Sequence, residues 1–108
     1  MKIRPMVNRY ARALLAAILV AGIIGCSSSE DRQAKYFAKA QQYFQEGNLE
    51  KSRLEVRNVL QINPNHAEAR YLWALIHEAN QNWRQMYSNL MTAVDLAPEF
   101  IEARIKLG

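Results

Sequence analysis

Read as a pattern of apolar and polar positions, the chain changes character near residue 26. Before that point, Ala13-Leu14-Leu15-Ala16-Ala17-Ile18-Leu19-Val20-Ala21-Gly22-Ile23-Ile24 runs for twelve residues without a polar side chain. As a helix that run would span roughly 18 Å, well short of the ~30 Å hydrocarbon core of a bilayer. From Gln33 onward, apolar positions recur at helical spacing instead. Tyr36, Phe37, Ala40, Tyr43 and Phe44 share one face and predict a first helix. Glu46-Gly47-Asn48 breaks the period, and Gly47 suits a left-handed helix stop. Leu49, Ser52, Val56, Val59, Leu60 and Ile62 predict a second helix, which Pro64 ends. The richly apolar Tyr71, Leu72, Trp73, Ala74, Leu75 and Ile76 predict a third. Trp83, Met86, Tyr87, Leu90, Ala93, Val94 and Leu96 predict a fourth, with Asn80-Gln81-Asn82 as turn chemistry between them. On this pattern Trp73 and Trp83 read as core residues and His77 as a half-buried packing histidine.

The pattern repeats. The step from Pro64 to Pro98 equals the step from Glu68-Ala69-Arg70 to Glu102-Ala103-Arg104. That shared interval, with helix–turn–helix content, resembles the tetratricopeptide (TPR) repeat, whose period is about 34 residues. Gly47, Asn48, the small Ser52, Val59-Leu60 and Pro64 fit the pattern of that family. Lys39, Gln81, Met86 and His77 depart from it, and Gln81 in place of a glycine leads us to expect a looser second turn. The resemblance implies an all-α fold, a TPR α-solenoid. One repeat covers 33–66, a second 67–100, and the start of a third 101–108, which reads as the N-terminal part of a longer array. It also implies a concave face lined by Ala34, Phe37, Gln41 and Phe44 from one unit and Glu68, Tyr71, Leu75 and Glu78 from the next. Those positions form a candidate peptide groove, aromatic and apolar with scattered Gln and Glu. Without the cations with which some TPR domains clamp a peptide carboxylate, it suits an apolar helix or extended peptide.

Charge sharpens the reading of the N-terminus. Lys2, Arg4, Arg9 and Arg12 are the only charges before Cys26, whereas the remainder carries ten basic and ten acidic residues. The formal charge of +4 therefore belongs to the leader, and a nucleic-acid partner has no basic domain to meet. A basic stretch, a short apolar run and a small residue before a polar segment form a secretory signal. Cys26 is the lone cysteine. A disulfide within the chain lacks a partner, and His66 and His77 stand too far off in sequence to suggest a zinc site. A nucleophile would need an activating base that is not visible. Ordinary secretory cleavage and an unprocessed, idle Cys26 stay open on the residues alone. Ile23-Ile24-Gly25-Cys26 resembles a bacterial lipobox, which implies a signal peptide over 1–25, cleavage between Gly25 and Cys26, and covalent diacylglyceryl and acyl lipid on Cys26. Residues 26–32 would then be the lipidated cysteine and a tether. Ser27, where an aspartate would imply retention in the inner membrane, implies the outer membrane facing the periplasm.

No paired carboxylates, nucleophile–base pair, phosphate loop or metal spacing stands out, so the chain reads as a non-enzyme with no cofactor beyond the lipid and no small-molecule substrate. The expected partners are a protein or peptide in the groove and a membrane through the lipid. The run from Lys51 to Leu72 resembles the TPR lipoprotein that accompanies exosortase and exopolysaccharide loci. Together these features imply a membrane-anchored scaffold for bacterial envelope assembly or export. The alternative is the non-catalytic N-terminal part of an envelope enzyme or polysaccharide-export component.

Overall fold

The computed structural model describes residues 28–108, and the leader with Gly25 and Cys26 lies outside that range. The described residues form an all-α fold of five helices: α1 Ser29–Gln45, α2 Leu49–Ile62, α3 Ala67–Ala79, α4 Trp83–Leu96 and α5 Ile101–Leu107. No strand occurs among them. Helices α1 and α2 pack as one antiparallel hairpin and α3 and α4 as a second, with α3 laid against α2 and α5 against α4. No helix among the described residues is long and apolar enough to cross a membrane.

Helix α1 starts earlier than the apolar period predicts. Ser28 accepts a hydrogen bond through its hydroxyl from the Asp31 amide at 3.1 Å, and Glu30 and Asp31 sit in the first turn. A hydroxyl cap satisfies an orphan amide, and early carboxylates face the positive end of the helix dipole. These two effects draw Ser29–Arg32 into the helix, so the tether expected over 26–32 is shorter than its sequence suggests.

The core follows the repeat. Ala40 pairs with Ala74, Val56 with Leu90, Val59 with Ala93 and Ala69 with Ala103, each one repeat apart, and all eight side chains are 0 % exposed. The small alanines let helix backbones approach, while Val56 and Leu90 fill the space between helices. Ala40, Val56, Val59, Ala69, Leu72 and Ile76 form one cluster, against which Tyr36, Phe37, Phe44, Leu60, Trp73 and Leu75 pack. Within the first hairpin, the buried Ser52 hydroxyl donates to the Ala40 carbonyl at 2.7 Å. The connections repeat as well. The Arg70 guanidinium donates to the Pro64 carbonyl at 3.0 Å, and that of Arg104 to the Pro98 carbonyl at 3.3 Å. Each arginine thereby holds the loop that precedes its own helix.

Two expectations need correction. Trp83 is 58 % exposed, and Tyr87 and Met91 on the same side of α4 are exposed too. The matching positions of α2 are Leu49, which is half-buried, and Arg53 and Arg57, which are exposed, so the exposure belongs to the register of this helix in both hairpins. The second correction concerns the turn at Gln81, which is as tight as the one at Gly47. The Gly47 and Asn48 amides donate to the Phe44 and Tyr43 carbonyls at 3.0 and 2.8 Å, and those of Gln81 and Asn82 to Glu78 and His77 at 2.9 and 2.8 Å. Both are Schellman closures, and both place their central residue in the left-handed region, Gly47 at φ +78° and Gln81 at φ +59°.

Candidate functional site

Helices α1 and α3 lie side by side at the open face of the two hairpins, and between them runs a groove of about 330 Å³. Phe37, Gln41 and Phe44 enter it from α1, and Glu68, Tyr71 and Leu75 from α3. The α1 residues are spaced i, i+4, i+7 and those of α3 i, i+3, i+7, which puts each set on one helix face. All but two of the positions expected to line a peptide groove are thus brought together. Ala34 stands outside the lining, exposed on the first half of α1. Glu78 is turned to another task. Its carboxylate meets the Lys106 ammonium at 2.8 Å and ties α3 to α5.

The groove also has walls that the face pattern did not name. Gln45 and Leu72 extend it, and Phe100 and Glu102 close one end. Glu102 was legible in principle, since it stands one repeat after Glu68. Phe100 sits in the loop before α5, where helical periodicity carries no information. It has a counterpart all the same. Phe37 packs against His66 with ring centroids 5.1 Å apart, and one repeat later Tyr71 packs edge-on against Phe100 at 5.0 Å. In each case an aromatic side chain on the first helix of a unit rests on a ring from the loop that ends that unit. Phe37 and Tyr71 are therefore each packed on an aromatic neighbour before any ligand arrives. Past Tyr71 and Glu102 a second hollow of about 340 Å³ continues along Ile105 and Lys106.

The electrostatics of the groove are one-sided. Of its ten lining residues, Glu68 and Glu102 are acidic and none is basic. The Glu68 carboxylate lies 3.5 Å from His66 Nδ1, yet that nitrogen accepts a hydrogen bond from the Ala69 amide at 3.1 Å. Glu68 thus has the half-buried His66 ring as its neighbour and no Lys or Arg. Lys106, the cation at the edge of the continuing hollow, is held by Glu78. Other cations stand away from the groove. Arg53 and Arg57 lie on α2, around hollows shared with Trp73 and His77.

His77 is half-buried and packs edge-on against Trp73 at 5.3 Å. Burial, with a smaller contribution from the Arg53 charge, lowers its pKa below the ordinary 6.5. It acts in packing, as its place in the pattern predicts. Among the described residues no three His, Cys, Asp or Glu side chains gather as a cation site. Gly25 and Cys26, where cleavage is expected, and with it lipidation of Cys26, lie outside the described range. A scan against protein-family models and a search of the curated proteins each found no match to this chain.

Proposed function

We propose that the chain is a tetratricopeptide-repeat lipoprotein, anchored through Cys26 in a bacterial envelope membrane, whose helical repeats bind a protein partner in the groove between α1 and α3. The observation that carries the repeat reading is equivalence at one fixed interval, the step from Pro64 to Pro98. Four buried pairs, two Schellman turns, two arginine-to-loop hydrogen bonds and two aromatic stacks recur at that interval. Coincidence in composition produces apolar periodicity, but it does not reproduce turn, loop and stack together. The binding reading rests on the groove itself, where Phe37, Phe44 and Tyr71 offer apolar area and the Phe37 and Tyr71 rings each pack on an aromatic neighbour. Such sites take a helix or an extended segment, because side chains at regular spacing can seat between the rings. Outer-membrane placement is what the lipobox resemblance and Ser27 imply, a role in envelope assembly is what the resemblance to lipidated TPR proteins implies, and both belong to this proposal.

The anchor is tested by producing the full chain in a bacterial host and measuring its mass and its partition between membrane and soluble fractions. The expected product begins at Cys26, carries diacylglyceryl and acyl groups, and sediments with membranes. Cys26→Ser should abolish cleavage and lipidation together. Identical mass and fractionation for the two chains would overturn the anchor.

A further inference from the structure

The groove's charge names the chemistry of its occupant. We propose that the partner segment is a basic, apolar peptide, with Lys or Arg flanking large aliphatic or aromatic residues, and that Glu68 and Glu102 are the carboxylates that select it. This inference rests on the groove being the binding site. Glu68 lies at the start of α3 and Glu102 at the start of α5, so both acids stand in the first turn of a helix, one repeat apart, and both line the groove. The apolar floor between and below them is Tyr71 with Leu75. A ligand that covers these rings must bring its own groups against two carboxylates that no Lys or Arg of the described residues pairs, Glu68 having only the His66 ring at 3.5 Å and Glu102 no partner. An acidic peptide meets repulsion at both places, and a neutral one lets the carboxylates lose water without compensation. Only a cationic peptide gains on both counts.

The attraction is local. Residues 27–108 carry ten acidic and ten basic side chains, so the repeats as a whole exert no net pull on a basic peptide. A preference for cations therefore has to come from where the carboxylates stand. The same arrangement disfavours a ligand recognised by a terminal carboxylate, which requires a cation in the groove.

The test compares three amphipathic peptides on the full chain in non-ionic detergent, each with leucines at i, i+3, i+4 and i+7 and with Lys, Gln or Glu at the flanking positions. Binding is read by fluorescence anisotropy of a label on the peptide. The Lys peptide should bind tightest and the Glu peptide weakest, with roughly fivefold between Lys and Gln. That gap should close as salt rises from about 0.05 M to about 0.5 M. Glu68→Gln with Glu102→Gln should erase the order while leaving circular dichroism unchanged, because both side chains are exposed. Glu30→Gln with Asp95→Asn removes two charges away from the groove and should preserve it. Gln41→Arg, from α1, should narrow the order without reversing it, since it offsets one of the two carboxylates. Equal binding of the three peptides to the native chain would overturn the charge inference and leave the groove standing. Failure of all three to bind would overturn both. An order that survives Glu68→Gln with Glu102→Gln would place the attraction elsewhere and also overturn it.

Discussion

The two helical hairpins share one backbone plan and meet its demands with different residues, and the turns show this most clearly. In the first, Gly47 takes the left-handed conformation without a Cβ, and an added Cβ there would meet nothing within 4 Å. In the second, Gln81 takes nearly the same conformation and bears the strain that L-residues carry there, about 1 kcal/mol. Next to these, the Asn48 side chain accepts from the Lys51 amide at 3.2 Å, whereas Asn82 makes no side-chain cap bond. Inside the first hairpin Ser52 binds the Ala40 carbonyl, and at the matching place in the second stands the half-buried Met86. The first hairpin is locally well specified. The second gets the same shape from packing, with Leu90 where the first has Val56. A closing pattern of backbone hydrogen bonds can thus be kept through tertiary contact when the local residue opposes it.

That difference can be broken from its strongest side first. Leu90→Ala should destabilise the fold by about 3 kcal/mol, and Val56→Ala by about 2 kcal/mol, in chemical denaturation. Equal losses would deny that packing weighs more in the second hairpin. The turns come next. Gly47→Gln should lower stability by about 1 kcal/mol, while Gln81→Gly should raise it by about 0.5 kcal/mol, since added chain freedom in the unfolded state offsets part of the relieved strain. Two losses would mean that Gln81 makes contacts worth more than its backbone strain. A smaller contrast is expected at the caps. Asn48→Ala should remove about 1 kcal/mol and Asn82→Ala only a few tenths, measured in the same way.

The smallest effect concerns pH. Tyr43 of the first hairpin corresponds to His77 of the second. Burial and Arg53 hold the folded-state pKa of His77 below its ordinary 6.5, so the unfolded chain takes up the proton first. Its contribution to stability is full above 6.5 and is lost as pH falls from there toward the lowered folded value. Melting temperatures between about pH 7.5 and pH 5 should therefore decline less in His77→Tyr than in the native chain. Parallel curves would remove His77 from the account.

Much of this was legible in the sequence, for a physical reason. Ala40, Val56, Leu72, Ile76 and Leu90 are buried as their helical spacing requires, because one face of each helix is pressed on a neighbour. Gly47 announces a left-handed stop, and Phe37, Gln41, Phe44, Glu68, Tyr71 and Leu75 share a groove because register on a face survives folding intact. What escapes depends on partners rather than on period. Trp83 looks like a core residue by its size, yet it stands on a side of the helix that is exposed at Tyr87 here and at Arg53 and Arg57 on α2. Glu78 has the register of a groove residue, yet Lys106 draws it away. The Gln81 turn looks loose when propensity is read without the packing that closes it. Ser28 goes unnoticed because a cap lies outside the apolar pattern that defines its helix.

That cap has a consequence for how the molecule searches for partners. From Cys26 to the first helical residue, Ser29, the chain spans three residues, on the order of 10 Å even when fully extended. With lipid on Cys26, the repeats would hang on a leash shorter than a helix is wide, and the groove would sweep a thin layer above the bilayer instead of a volume. Encounter with a partner held in the same membrane then becomes a two-dimensional problem, in which a weak groove gains from high effective concentration. Lengthening the leash with a flexible insert before Ser28 would dilute that advantage without touching one residue of the groove.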